Sequence, residues 1–243
     1  MKTIGLIQAR MGSMRLPGKV MRPLAGRPLV WHILDRLRRV EDISQIVLAT
    51  TVAPENDPLA AWGAGEGLTV VRHPVEDDIA GRLAMAIDAT GAEVMVKINA
   101  DCPLVDPGVI ASALALLRAD QNADGVTNKL KATYPLGLSI EVLRRNVIDW
   151  CDRNLTTAQD RELTVKWIFD HPERFRILSL ETDQNESRYN LTVDTPADYA
   201  LISDIFDSLF VAGRTFDWRE VRANLENRAS IPACAYLESV GAS

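Results

Sequence analysis

Short apolar runs recur through the first half of the chain, at residues 3–9, 45–50, 68–72 and 94–98. They are near-continuous rather than alternating, as expected of strands covered on both faces. Helical patterns lie between them. Pro28 opens the first, with Leu29, Ile33, Leu37 and Val40 on one stripe. Residues 57–64 and 79–90 carry the next two. Pro107 opens a fourth, with Ile110, Leu114 and Leu117 on one face. Such alternation predicts a mostly parallel sheet with right-handed crossovers. The second half is less regular. Residues 138–142, 175–180 and 191–193 read as strands, and 160–170 and 197–210 as helices. Beyond residue 213, Phe216, Trp218 and Val221 suggest a tail packed back on the body. No internal repeat, low-complexity tract or linker interrupts the pattern.

Composition narrows the function classes. The 243 residues are 47% hydrophobic, enough for a substantial core. No apolar stretch approaches the roughly 20 residues that span a bilayer. The run at 3–9 contains Gly5 and Gln8 and ends at Arg10, so it reads as a strand rather than a signal segment. Cys102, Cys151 and Cys234 are widely spaced and form no C-x-x-C pair, which fits a reducing cytoplasm. A net charge of −6 disfavours nucleic acid and anionic membranes as partners. Against that acidic background, Arg10, Arg15, Lys19, Arg22 and Arg27 share a stretch without Asp or Glu. A small polyanion such as a triphosphate would suit it; a solvated basic loop is the plainer alternative.

The densest chemistry follows the first predicted strand, in Gln8-Ala9-Arg10-Met11-Gly12-Ser13-Met14-Arg15-Leu16-Pro17-Gly18-Lys19. Ligands of open α/β sheets bind beyond the carboxyl ends of strands. Gly12 and Gly18 let backbone amides approach phosphate oxygens, Ser13 offers a hydroxyl, Arg10 and Arg15 can fork onto phosphate, and Lys19 supplies a compact charge. The spacing is neither a Walker loop nor a dinucleotide fingerprint. Asp101 and Asp194 each follow a predicted strand and precede a proline, Pro103 and Pro196. Two hard carboxylates suit Mg²⁺, although an Asp in such a place also caps turns and helices. Asp106 reads as the N-cap of the helix opened by Pro107. His32, His73 and His171 lack metal-ligand spacing. Cys102 reads as a small packed residue, and the five tryptophans as core.

Residues 7–19, continuing through Pro23-Leu24-Ala25-Gly26-Arg27-Pro28-Leu29, resemble the opening of the cytidylyltransferase family. That family makes CMP-activated 3-deoxy-octulosonate and sialic acids. The nearest resemblance is to its SpsF spore-coat polysaccharide biosynthesis branch. It continues in Ala49-Thr50-Thr51, Asp78-Ile79 with Arg82, the stretch from Asn99 to Pro107, Tyr134-Pro135-Leu136-Gly137, and Leu191-Thr192-Val193-Asp194-Thr195-Pro196. It implies a three-layer α/β/α Rossmann-like nucleotide-diphospho-sugar transferase fold. It further implies transfer of CMP from CTP to an acidic sugar with Mg²⁺ and release of pyrophosphate, by a cytoplasmic homodimer that engages neither nucleic acid nor membrane. The resemblance assigns phosphate handling to Arg10, Arg15 and Lys19, and further nucleotide contacts to Gln8, Ala9, Gly12, Ser13, Arg82 and Asn99. It gives the metal to Asp101 and Asp194, and the acceptor to Tyr134, Gly137, Glu141, Arg161 and Glu162. One nucleotidyltransferase domain over 1–243 is expected, with a nucleotide half at 1–125, an acceptor and metal-completing part at 126–210 and a tail at 211–243. The chain departs from the family where Leu163 replaces a usual His, Ser139 and Gly81 replace common Asp residues, and Ala100 replaces a frequent Gly. These departures suggest the same reaction on an unusual acceptor. Rival readings are a UTP- or GTP-using sugar-1-phosphate nucleotidyltransferase, a glycosyltransferase and a non-catalytic binding module.

Overall fold

Strand β1 (Thr3–Gln8) buries Ile4 and Leu6 on one face and Ile7 on the other. Covered on both sides, it can only be an inner strand. The computed structural model describes residues 1–211 and 213–229; Cys234 lies outside the described residues. After β1 come a small hairpin, β2 (Pro23–Leu24) and β3 (Arg27–Pro28), then α1 (Leu29–Arg38), β4 (Gln45–Thr51), α2 (Asp57–Gly65), β5 (Thr69–His73), α3 (Ile79–Thr90), β6 (Val94–Asn99) and α4 (Pro107–Ala119). The second half adds β7 (Gly125–Thr127), β8 (Glu141–Arg144), α5 (Arg145–Asn154), α6 (Ala158–Glu162), α7 (Thr164–Asp170), β9 (Ile177–Ser179), α8 (Pro196–Leu209) and α9 (Trp218–Ala229).

Seven strands form one sheet in the order β5-β4-β1-β6-β8-β7-β9. Pairing is parallel except where β8 runs against β6 and β7. Helices α1, α4 and α8 cover one face around Leu29, Ile33, Ile110 and Phe206. Helices α3, α5 and α7 cover the other around Leu83, Ile87, Val147 and Ile168. This is the expected α/β/α sandwich with a mostly parallel sheet. The chain moves from β1 outward to β4 and β5, then returns to β6 on the other side. Such a reversal opens a crevice beyond the carboxyl ends of β1 and β6.

Within the described residues, the start of the tail packs back on the body as expected. Phe216 and Val221 are buried, and Arg36, itself 3% exposed, lies 4.5 Å from the Phe216 ring centroid and donates to the Phe216 carbonyl at 3.0 Å. Asp106 caps α4 by accepting from the Gly108 and Val109 amides, and its second oxygen accepts from the Trp218 amide. His32 sits in α1 against Phe206 and Phe210, bonded to the Leu24 carbonyl; burial pushes it down to about 4, so it is neutral at physiological pH. No helix among the described residues is long and apolar enough to cross a membrane.

Three expectations shift, and two elements are new. The strand expected at 138–142 starts at Glu141, because Asn128 takes the place of a neighbouring strand: its amide donates to the Leu138 carbonyl at 2.8 Å and accepts from the Ile140 amide at 3.0 Å. Residues 191–193 form no strand. Their amides bond to loops, Leu191 to the Leu136 carbonyl and Val193 to the Asp101 carbonyl, both at 2.8 Å. The helix expected at 160–170 breaks at Leu163 into α6 and α7. Helix α5 and strand β7 were not expected at all.

Gly137 closes this loop region. Its φ is +95°, and a Cβ there would stand 2.5 Å from both C and O of Leu191. Backbone strain and overpacking act together, so Gly137→Ala is expected to lower stability by roughly 2 to 3 kcal/mol in urea denaturation. A change below about 0.5 kcal/mol would show that the 136–138 and 190–193 segments separate at little cost.

Candidate active site

The loop after β1 is held from both ends. The Met11 carbonyl accepts from the Ser13 and Gly18 amides, and the Met11 amide donates to Asn56 Oδ1 at 2.8 Å. Asn56, 1% exposed, is fixed in turn by donating to Thr51 Oγ1 at 2.7 Å. Gly18 adopts φ +67°, the left-handed conformation that starts the short helical turn carrying Lys19. Ser13 Oγ accepts from the Leu16 amide, leaving its own proton to donate outward.

This loop forms one wall of a cleft of about 500 Å³. Gln8, Ala9, Arg10, Gly12, Ser13, Arg15, Lys19, Arg82 and Asn99 all line it, with Asp101, Asp194 and Glu162. Asp101 follows β6, and Asp194 precedes α8. The Val193-to-Asp101 backbone bond ties their two segments together. Between them lies Lys19, 12% exposed by side chain. Its ammonium donates to Asp194 Oδ1 at 2.9 Å and to the Val193 carbonyl at 2.6 Å, and stands 3.9 Å from Asp101 Oδ2. Arg15 Nη2 adds a contact to Asp194 Oδ2 at 3.2 Å. The hydrogen bond from Lys19, together with the charges of Lys19 and Arg15, outweighs desolvation and holds the Asp194 carboxyl below the usual carboxylate range. Cys102 donates to Asp101 Oδ1, and burial pushes its thiol well above the ordinary range, so it stays a thiol.

The donor set fits a hard divalent cation. Two carboxylates from separate segments already converge on one positive charge. Among the described residues no third His, Cys, Asp or Glu completes a protein cage. A cation that keeps waters and shares phosphate oxygens, as Mg²⁺ does, matches that count.

The opposite wall comes from the end of β5 and the start of α3. Arg10 Nη1 contacts Glu76 Oε1 at 2.6 Å and Asp77 Oδ1 at 3.6 Å. Both sides of these pairs are exposed, and exposed pairs are worth about 0–1 kcal/mol, so phosphate can replace the carboxylates at little cost. Arg82, 2% exposed, donates to the Glu76 carbonyl. Arg82 Nε and Gln8 Oε1 are buried without hydrogen bonds, the kind of groups that a ligand or water satisfies.

Four acceptor candidates lie elsewhere. Glu141, 3% exposed, is locked between Lys97 Nζ at 2.8 Å and Lys129 Nζ at 3.0 Å. Arg161 is turned away onto Asp78 and Asp152. Gly137 packs on the Leu191 backbone. Tyr134 lines a separate hollow of about 620 Å³, beside Asp183, Trp218 and Arg222. Only Glu162 of that set reaches the cleft, together with Leu163, noted in the sequence as a departure from the family, and with Met14 and Ile79, to which no role had been given. Asn56 was missed as well; its place in the loop that follows β4, two residues past Pro54, was the available signal.

A family model described as cytidylyltransferase matches residues 4–226. The spore coat polysaccharide biosynthesis protein SpsF of Bacillus subtilis (strain 168) is 33% identical over 208 residues, 83% of this chain and 85% of that protein. A 3-deoxy-manno-octulosonate cytidylyltransferase of Geobacter metallireducens is 32% identical over 120 residues, 49% of this chain and 46% of its own length. The solved structure of a cytidylyltransferase from Leptospira borgpetersenii superposes with a TM-score of 0.88 at 25% identity, covering 95% of this chain and 96% of that one. With the loop after β1, the two aspartates across Lys19 and a family match over nearly the whole described chain, the protein belongs to the cytidylyltransferase family and is a nucleotidyltransferase.

Proposed function

We propose that this chain transfers CMP from CTP to the hydroxyl of a sugar-type acceptor, with Mg²⁺, and releases pyrophosphate. The acceptor oxygen forms a bond to the α-phosphorus, the bond to the pyrophosphate oxygen breaks, and the hydroxyl proton leaves to solvent. The observation that carries this reading is the convergence of Arg10, Arg15, Lys19, Asp101 and Asp194 on one cleft. Phosphoryl transfer of this kind needs positioning and charge neutralisation more than a covalent nucleophile. Arg10 exchanges its exposed carboxylate partners, and Arg15 its contact to Asp194, for phosphate oxygens. Lys19, held by its bond to the Val193 carbonyl, supplies a compact positive charge to the phosphates. Asp101 and Asp194 would hold Mg²⁺, which when bound neutralises phosphate charge and orients the reacting oxygens. Asn99, at the end of β6, faces the same space. Homodimer assembly and a cytoplasmic setting, expected from the sequence, belong to the same proposal, as does the division into a nucleotide half, an acceptor part and a tail.

Nucleotide-induced thermal stabilisation tests the donor. At 100-fold over the dissociation constant a ligand adds about 2.7 kcal/mol. CTP with Mg²⁺ is expected to stabilise the wild type above UTP, GTP and ATP, and Asp101→Ala should lose the Mg²⁺-dependent part. A shift indifferent to base and metal would set the cytidylyl-transfer reading aside and favour a binding module; a preference for UTP or GTP would favour a sugar-1-phosphate nucleotidyltransferase.

A further inference from the structure

The acceptor expected from family resemblance is an acidic sugar. Its carboxylate is bound most strongly where charge on the cleft lining is positive. The triphosphate claims Arg10, Arg15 and Lys19 in the reading proposed above, and the metal's charge is matched by Asp101 and Asp194. What then remains charged on the cleft lining is Glu76, Asp77, Glu162 and Arg82. Arg82 is buried, with Nη2 bonded to the Glu76 carbonyl and Nε without a hydrogen bond, so it supplies one positive charge against three negative ones. That balance is negative.

The neighbouring bases cannot reverse it. Arginine has five N–H donors, and Arg161 uses all of them. Its Nε and Nη2 donate to Asp78 Oδ1 and Oδ2, both at 2.9 Å, and Nη2 also donates to Asp152 Oδ1 at 2.7 Å. Its Nη1 donates to the carbonyls of Asp152 at 2.8 Å and Leu155 at 3.0 Å. Unlike the exposed pairs of Arg10, this fork is largely shielded, with Arg161 22% and Asp78 17% exposed by side chain. Burial works against the Asp78 carboxylate, yet the bonds from Arg161 and the Gly81 amide still hold its pKa below normal. Gly81 leaves room for the clamp, since a Cβ there would stand 2.8 Å from Asp78 Oδ2 and 3.2 Å from Arg161 Nη2. Lys97 and Lys129 are spent on Glu141. The residues next to Arg161 that do face the cleft are Glu162, which has no ion pair among the described residues, and Leu163, 44% exposed. Met14, 99% exposed, adds a further apolar side chain to the lining.

We infer that the acceptor is an uncharged or amine-bearing hydroxyl compound rather than a carboxylate sugar. Glu162 and the Glu76–Asp77 wall repel an acid and attract an amine, and Leu163 and Met14 supply apolar contact. This rests on cytidylyl transfer, and the experiment separates the two. Pyrophosphate release would be measured with the full chain, CTP and Mg²⁺, on matched acceptors: a 3-deoxy keto sugar acid and its methyl ester, and glucose and glucosamine. One charge step across such a cleft is worth about tenfold, so the ester is expected to exceed its acid by about that factor or more in kcat/KM. Glu162→Gln should narrow that gap and weaken any preference for glucosamine over glucose. An acid used as well as its ester, or no turnover of any carboxylate-free member, overturns the inference. If the CTP-selective, Mg²⁺-dependent thermal shift persists alongside acid-only turnover, cytidylyl transfer stands and only the acceptor class falls. If that shift is absent, the failure lies in the donor reading.

Discussion

Lys19→Met is expected to lower kcat/KM by about 10² to 10³, the usual loss when one preorganised charge is removed from a phosphoryl or oxyanion site. The same substitution is expected to tighten Mg²⁺ or Mn²⁺ binding in the absence of nucleotide. In the wild type the Lys19 ammonium holds the place between Asp101 and Asp194, at 3.9 and 2.9 Å. Its removal leaves two carboxylates tied by one backbone bond, with Arg15, 65% exposed by side chain, as the remaining cation on Asp194. A divalent ion then meets less competition. Isothermal titration with Mn²⁺ and steady-state pyrophosphate release read the two effects separately. A wild-type rate would reduce Lys19 to a loop anchor through its bond to the Val193 carbonyl. A lost rate with unchanged metal affinity would mean that the ion seats elsewhere.

Much of this cleft could be read from the chain because its groups lie close in sequence or follow strands. The glycine-bearing loop after β1 and an Asp after β6 are placed by the rule that ligands meet the carboxyl ends of strands. Asp194 lines the cleft, but the strand expected before it is not there. The segment before it is extended and buried, yet its amides bond to loops rather than to a strand. The acceptor side was not legible. Arg161 and Glu162 are adjacent, but Asp78, far away in sequence, captures one and leaves the other in the cleft. Glu141 sits in a stretch that reads like an acceptor motif, and only the pairing of β6 with β8 brings Lys97 beside it. Helix α5 was missed although Val147, Ile148 and Cys151 carry a helical spacing. Three-residue β7 has too little pattern of its own; its register comes from β8 and β9.

Glu141 decides between a substrate contact and a structural role, because the two predict different losses. Its carboxylate is enclosed with Lys97, itself 4% exposed, and Lys97 also donates to Asn99 Oδ1 at 2.8 Å. Breaking one side of a buried pair costs about 3–5 kcal/mol, since the other charge is left behind. For a chain of this size 1 kcal/mol moves Tm by about 2–4 °C, so Glu141→Gln is expected to lose roughly 6 to 20 °C. The double variant Glu141→Gln with Lys97→Met removes both charges and should recover part of that loss. The pH dependence follows the same pair. Burial raises the Glu141 pKa, and Lys97 and Lys129 more than reverse this, so it lies below its usual 4.5. A depressed carboxylate contributes stability above its unfolded value and loses it as pH falls through the folded one. Wild-type urea midpoints should therefore fall below pH 4.5 by more than those of Glu141→Gln. A Glu141→Gln protein that melts like the wild type but binds acceptor poorly would return this residue to the substrate and would place the acceptor on the Lys97 side of the cleft.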